Sequence, residues 1–358
     1  MDKFRISFTG DILVYECQNK ISKVDSDKYD YTEYLKDAKP LFKDSSYVVG
    51  SLETPIAGKI AGYTKDDTNF NTPDGILDTL KMIGVDMLTT GNNHALDRGK
   101  SGLKRTCKIL DEYGFDHTGT ASTNSGKPYF IKNLHGVRIA FLSYTYGTNS
   151  SENECMLAAG EEYMINLTRR QDPVPQRSII KAILRSLFLK LPKIVRNGLR
   201  PEAKHSIISD CVSEREINAE YNRPYVEAML KSIAEAKAES DIVVFCLHSG
   251  GQFNSIVSGY TRWLIDLIVA TGVDAVVTNH THTPLAVEQQ KNGCVVAYSL
   301  GNFAFTPGVG YYVDGVNADY SNILHLEVDA RKKKICGFSI KQAKSIRLDD
   351  GSAKVTIL

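Results

Sequence analysis

The chain has 358 residues, 42% of them hydrophobic and 24% charged, with a formal net charge of +1. That composition is ordinary for a soluble globular protein, and the length is enough to bury a full core. A net charge this close to zero predicts no nucleic acid or other polyanionic partner for the chain as a whole. The seven cysteines are scattered and contain no Cys-x-x-Cys pair, which argues against a disulfide framework and against structural zinc. Met1-Asp2-Lys3-Phe4-Arg5 enters the first strand with no basic region and apolar run before it, and no apolar stretch approaches membrane-spanning length. A cytoplasmic protein is the expectation.

In chain order, β-rich runs are predicted over residues 4–10, 47–52, 86–90, 137–144, 242–247, 273–278 and 294–299. Helical periodicity falls between them over 75–83, 99–113, 223–239 and 260–270. Strands alternating with helices predict an α/β protein. The tail differs: runs over 323–328, 335–341 and 354–357 follow one another with no helix between, which predicts a closing antiparallel element. Residues 150–222 interrupt the alternation as an inserted or lid-like helical segment. Within it, Ile180, Ile183, Leu184, Leu187, Phe188 and Leu191 recur at helical spacing, opposite Arg177, Lys181, Arg185 and Lys190. A basic amphipathic helix over 177–200 is expected, suited to an anionic membrane surface, to covering a site for an anionic substrate, or to plain packing with a solvated face.

Five of the predicted strands end in residues that bind metals. Phe8-Thr9-Gly10-Asp11, Ser51-Leu52-Glu53, Gly91-Asn92-Asn93-His94, Cys246-Leu247-His248 and Asn279-His280-Thr281-His282 each follow an apolar run. Singly, each has an ordinary structural explanation as a turn or a polar strand end. Jointly they place Asp11, Glu53, Asn93, His94, His248, His280 and His282 at C-terminal strand ends, where α/β sheets bind ligands. Carboxylate, amide oxygen and imidazole together suit one or two divalent cations such as Mn, Fe or Zn. His280 and His282, two apart, point the same way if the chain stays extended. The other four histidines, His117, His135, His205 and His325, have no such company and read as structural or surface residues.

These stretches, with Leu52-Glu53-Thr54-Pro55, Asn92-Asn93-His94-Ala95-Leu96-Asp97-Arg98-Gly99, His248-Ser249-Gly250 and Tyr298-Ser299-Leu300-Gly301-Asn302-Phe303, resemble the calcineurin-like metallophosphoesterase superfamily. Within it they most resemble the bacterial CapA family of capsule synthesis, or poly-γ-glutamate biosynthesis, proteins. The resemblance spans the chain from the first strand past residue 300. It implies a single four-layer α/β/β/α sandwich over 1–358, carrying the 150–222 insertion. It further implies that Glu53 bridges two metals, that Asn93, His248 and His280 complete one, and that Asp11 and His282 hold the other. His94 would protonate the leaving oxygen, with Asp97 orienting it. Arg98 and Asn302 are candidates for contact with an anionic substrate.

The expected function is a metal-dependent phosphoesterase-like hydrolase acting on a small phosphorylated or anionic substrate in capsule or cell-surface polymer synthesis. Two alternatives accompany it: a non-catalytic component of a capsule or poly-γ-glutamate assembly complex at the membrane periphery, and a metal-dependent γ-glutamyl amide hydrolase. Two departures motivate the first of these. Leu13 stands where the superfamily has a metal-binding histidine, and His248-Ser249-Gly250-Gly251-Gln252 stands where CapA proteins carry His-Trp-Gly-x-Glu. The first leaves open whether one metal binds or two.

Overall fold

The computed structural model describes residues 2–65, 68–174, 210–257, 259–308 and 316–358. The basic amphipathic helix expected over 177–200 lies outside them. The strands are β1 (Lys3–Ile12), β2 (Tyr47–Leu52), β3 (Met87–Thr89), β4 (Asp116–Thr118), β5 (Tyr129–Leu134), β6 (Val137–Thr145), β7 (Ile242–His248) and β8 (Ala275–Asn279). They continue with β9 (Val287–Gln289), β10 (Val295–Ala297), β11 (Asn302–Ala304), β12 (Tyr320–Asp329), β13 (Lys334–Arg347) and β14 (Ala353–Ile357). The longer helices are α1 (Gly75–Ile83), α2 (Gly99–Glu112), α3 (Arg223–Glu239) and α4 (Gly259–Ala270).

Two sheets result. The first runs β14-β13-β12-β1-β2-β3-β4, with β11 joining β1; the second runs β5-β6-β7-β8-β10-β9. The central pairs β1–β2, β2–β3, β3–β4, β6–β7, β7–β8 and β8–β10 are parallel. The tail strands β12, β13 and β14 pair antiparallel, as their unbroken succession in sequence predicted.

Side-chain alternation sets the layers. Phe4, Ile6, Phe8, Val49 and Met87 of the first sheet meet Ile139, Phe141, Val244 and Val277 of the second in one core between the sheets. The opposite parity faces outward. Val48, Leu52 and Leu88 pack on Ile76 and Leu80 of α1 and Leu110 of α2. Leu142, Val243 and Phe245 pack on Met229 and Ile233 of α3 and on Leu264 and Ile268 of α4. The order helix, sheet, sheet, helix is therefore a consequence of strands that are apolar on both faces. Each large side chain removed from water in these cores contributes about 1.5–3 kcal/mol.

The same parity positions the functional residues. Tyr47 and Val49 face the seam between the sheets, so Ser51 and Glu53 follow on that side. Val244 and Cys246 do the same, so His248 emerges at the seam from the other sheet. Strict alternation from Phe8 would turn Asp11 away. A register shift between Phe8 and Asp11 corrects this and turns the carboxylate inward.

Gly10 makes the shift feasible. A Cβ there would sit 2.0 Å from Gly301 O, so only glycine lets β11 close on β1. Asp11 N then donates to Gly301 O at 2.8 Å. Gly301 itself has φ +74, a left-handed conformation that favours glycine.

Candidate metal centre

Strand ends from both sheets deliver Asp11, Glu53, Asn93, His248, His280 and His282 to one buried cluster at the top of the seam. Glu53 is its middle. Its Oε1 lies 3.2 Å from His248 Nε2 and 4.0 Å from both His280 Nδ1 and His94 Nε2, while Oε2 lies 3.8 Å from His282 Nδ1. Both Glu53 oxygens are buried with no hydrogen-bond partner, and so is His280 Nε2. Unsatisfied buried carboxylate oxygens cost several kcal/mol unless something positive occupies the space between the groups.

Around this middle, His248 Nε2 is 2.7 Å from Asn93 Oδ1 and 3.2 Å from His280 Nδ1. On the other side, Asp11 accepts from Ser51 Oγ at 2.7 Å and from the His280 backbone N–H at 3.0 Å. Asp11 Oδ2 is 4.0 Å from His282 Nδ1, and His282 Nδ1 is 2.9 Å from Asn302 Oδ1. Ligand atoms of Glu53, His280 and His282, and likewise of Asp11, Glu53 and His248, all lie within 4.8 Å of one another. Glu53 belongs to both groups, and the donor set of carboxylate, amide oxygen and imidazole fits divalent cations.

The electrostatics point the same way. Burial and the neighbouring Glu53 charge push the Asp11 carboxyl well above its usual range. Burial would raise Glu53 too, but His282 and His248 outweigh it and hold Glu53 well below. Burial drives His248 down, and burial with the His248 charge drives His280 down further. Burial thus favours the neutral rings of His248 and His280, the form in which imidazole can ligate a cation.

The chain belongs to a bacterial capsule synthesis family. The match is to the family described as bacterial capsule synthesis protein PGA_cap, over residues 5–307. The PGA biosynthesis protein CapA of Bacillus subtilis is 24% identical over 318 residues, covering 86% of this chain and 64% of that protein. The capsule biosynthesis protein CapA of Bacillus anthracis is 24% identical over 315 residues, covering 86% and 61%. The chain thus spans under two thirds of the length of these curated relatives. Among solved structures, a phosphatase from Mycoplasma pneumoniae aligns over 96% of this chain and 94% of its own, at 14% identity and a TM-score of 0.44.

In this member of the PGA_cap family, His94 stands apart from the donor set. Its Nδ1 lies 2.7 Å from Asp97 Oδ2, which also accepts from Phe70 N at 2.7 Å. The Phe70 ring meets His94 edge-on at 4.7 Å. Burial disfavours its charge, but Asp97 and Glu53 more than compensate, so His94 titrates above its ordinary value. Its Nε2 faces Glu53 and the cluster. Arg98 does not reach into the site: its guanidinium is spent on the carbonyls of Gly62, Asp97 and Asn69. Asn302 does not form an open surface either; it is 1% exposed, with Oδ1 2.9 Å from His282 Nδ1.

Three features were not read from the sequence. β8 ends at Asn279, and His280 and His282 have φ +104 and +58, so the two rings converge through a turn rather than through strand alternation. Ser51, two residues before Glu53 on the same face, steadies Asp11; strand periodicity carried that signal. Tyr146 places its ring 4.9 Å from His280, and Phe253 lies 5.5 Å from His282. Tyr146 follows β6 as Glu53 follows β2, so its position at a strand end was a usable cue. A cleft of about 880 Å³ lined by Tyr129, Tyr163, Tyr221 and Tyr225, among others, shares none of these residues. Among the described residues no helix is long and apolar enough to cross a membrane.

Proposed function

We propose that this chain is a metal-dependent hydrolase of phosphoesters, working in capsule or cell-surface polymer synthesis. The observation that carries the reading is the pair of unsatisfied Glu53 oxygens between two groups of buried donors, with His94 directed at them. Asn93, His248 and His280 would hold a cation with Glu53 on one side, and Asp11 and His282 on the other. Cations held there supply Lewis acidity, activating water near neutral pH and offsetting charge on phosphoryl oxygens.

The protein's own part is proton delivery and positioning. Asp97 fixes the His94 ring through Nδ1, so Nε2 is the atom left to donate to the leaving oxygen. Burial opposes charge on His94, but the Asp97 and Glu53 charges raise its pKa, which favours the protonated ring. The buried walls from Phe70, Tyr146 and Phe253 keep bulk water away and strengthen each charge interaction.

The test is metal analysis of the purified protein with a panel of phosphomonoesters and phosphodiesters. Bound divalent metal and turnover that His94→Ala lowers ~10²–10⁴-fold support the reading. A protein that binds no divalent cation, or a His94→Ala variant with full turnover, sinks it. The names of the Bacillus relatives motivate a second reading, metal-dependent cleavage of a γ-glutamyl amide. A γ-glutamyl peptide assayed beside the phosphoesters separates the two.

A further inference from the structure

The cation position flanked by Asp11 and His282 lacks the histidine that position 13 would supply. Leu13 is buried among Tyr15, Phe70, Phe253, Phe305 and Ala318, and no donor stands there. Thr54, next to Glu53, is no substitute. Its Oγ1 is engaged with Thr72 Oγ1 at 2.9 Å and lies 3.3 Å from Pro55 O.

Asn302 stands where a donor is needed. It opens β11, and in the parallel β1–β11 pair its Cα is the register partner of Asp11. Paired residues of neighbouring strands share a face, and past the register shift Phe303 and Ala304 both pack in the helix-side core. Asn302 and Asp11 therefore project together toward the seam.

The amide orientation is settled by its own bonds. Asn302 Nδ2 donates to His282 O at 3.1 Å and to Ala318 O at 2.9 Å. Two carbonyl acceptors hold the NH2 end, so the other end is the oxygen. That oxygen lies 2.9 Å from His282 Nδ1, the same ring nitrogen that faces Glu53 Oε2 at 3.8 Å and Asp11 Oδ2 at 4.0 Å. A residue that only oriented His282 would hold the ring by the nitrogen turned away from the carboxylates. Asn302 shares the nitrogen turned toward them. Asn93 Oδ1 relates to His248 Nε2 in the same way, at 2.7 Å.

We propose that Asn302 Oδ1 is the fourth protein ligand of the Asp11–Glu53–His282 position, in place of a histidine at 13. The inference rests on the metal-centre reading above. It makes this position richer in oxygen, with one imidazole, two carboxylates and an amide, than its neighbour with two imidazoles. Oxygen-rich sets favour Mn²⁺ or Mg²⁺ over softer ions.

The experiment is a Mn²⁺ titration of the full chain followed by calorimetry and elemental analysis, with anomalous diffraction from Mn²⁺-loaded crystals. Two Mn²⁺ ions per wild-type chain are expected, one within about 2.0–2.6 Å of Asn302 Oδ1, the range for hard cations on oxygen. Asn302→Ala should retain one ion and weaken the other by at least ~10–100-fold. Asn302→Asp, which keeps an oxygen there, should retain both. Two unchanged sites in Asn302→Ala, or an ion beyond hydrogen-bond distance of Oδ1, overturn the inference and leave the metal-centre reading standing. No Mn²⁺ in the wild type overturns both. If Asn302→Ala does not fold, the crystallographic distance and the Asn302→Asp titration decide.

Discussion

On one side of Glu53 stand Asn93, His248 and His280; on the other stand Asp11, His282 and Asn302. The first group draws on β3, β7 and β8, strands from both sheets, and its residues are short-spaced polar ends of apolar runs. The second takes His282 from beyond β8, but for Asp11 and Asn302 it depends on two adjacent strands of one sheet, β1 and β11, and on the Gly10–Gly301 approach that lets them touch. The first owes His248 to simple strand periodicity and His280 to a turn at φ +104. The second also needs a register shift and a residue without a Cβ at position 10, where a Cβ would sit 2.0 Å from Gly301 O, besides the left-handed turn at His282. Equivalent donor sets are thus reached by a robust route and by a fragile one, and perturbations should tell them apart.

The largest effect should come from the residue common to both halves. Glu53→Gln keeps the shape but removes the shared charge. Metal content should fall in both positions and turnover by about 10³–10⁵-fold, several kcal/mol of charge stabilisation. If elemental analysis shows both ions retained, Glu53 is not shared.

His94→Ala should cost ~10²–10⁴-fold in kcat with metal content unchanged, since His94 belongs to neither half. Loss of metal along with rate would move His94 into the donor set.

Gly10→Ala addresses the fragile half alone. The new Cβ meets Gly301 O, so β11 must shift, at a cost of about 1–3 kcal/mol typical of overpacking. Cation affinity should fall ~10–100-fold on the Asp11 side and stay level on the Asn93 side. Equal weakening of both, read by Mn²⁺ calorimetry, would dissolve the distinction.

How far the sequence disclosed this follows the same division. The central strands and the four longer helices were legible because apolar runs and 3.6-residue periodicity are strong local signals. The antiparallel tail was legible because Ile323, Ile335 and Val355 recur with no helical stretch between them. The short strands β4, β5, β9 and β11 were not. Asp116-His117-Thr118 is too polar and brief to stand out, and Asn302-Phe303-Ala304 reads as a loop until β1 is beside it. At the centre, Glu53 and His248 sit at the correct parity for anyone counting by twos. Asp11 does not, because the bulge that turns it inward depends on Gly301, nearly three hundred residues away. The pairing of Asn302 with Asp11 is tertiary information for the same reason.

The smallest effect concerns a buried histidine on the same sheet that serves neither half. His325 Nδ1 lies 2.6 Å from Ser7 Oγ, four residues before Asp11 on β1. Burial pushes its pKa down to about 4, and the Arg5 and Lys341 charges push the same way while Glu327 opposes them. In the unfolded chain it titrates near 6.5. Between those values the unfolded chain binds a proton that the folded one refuses, so stability present above about pH 6.5 is lost as pH falls through about 4. His325→Gln should remove one proton's worth of that slope in thermal unfolding followed against pH. Metal release on acidification runs in the same direction, because imidazole ligands must be neutral to bind. The scans should therefore be run both in Mn²⁺ and in chelator. A slope difference between wild type and His325→Gln that persists in chelator assigns acid sensitivity to the sheet; identical slopes there assign it to the centre.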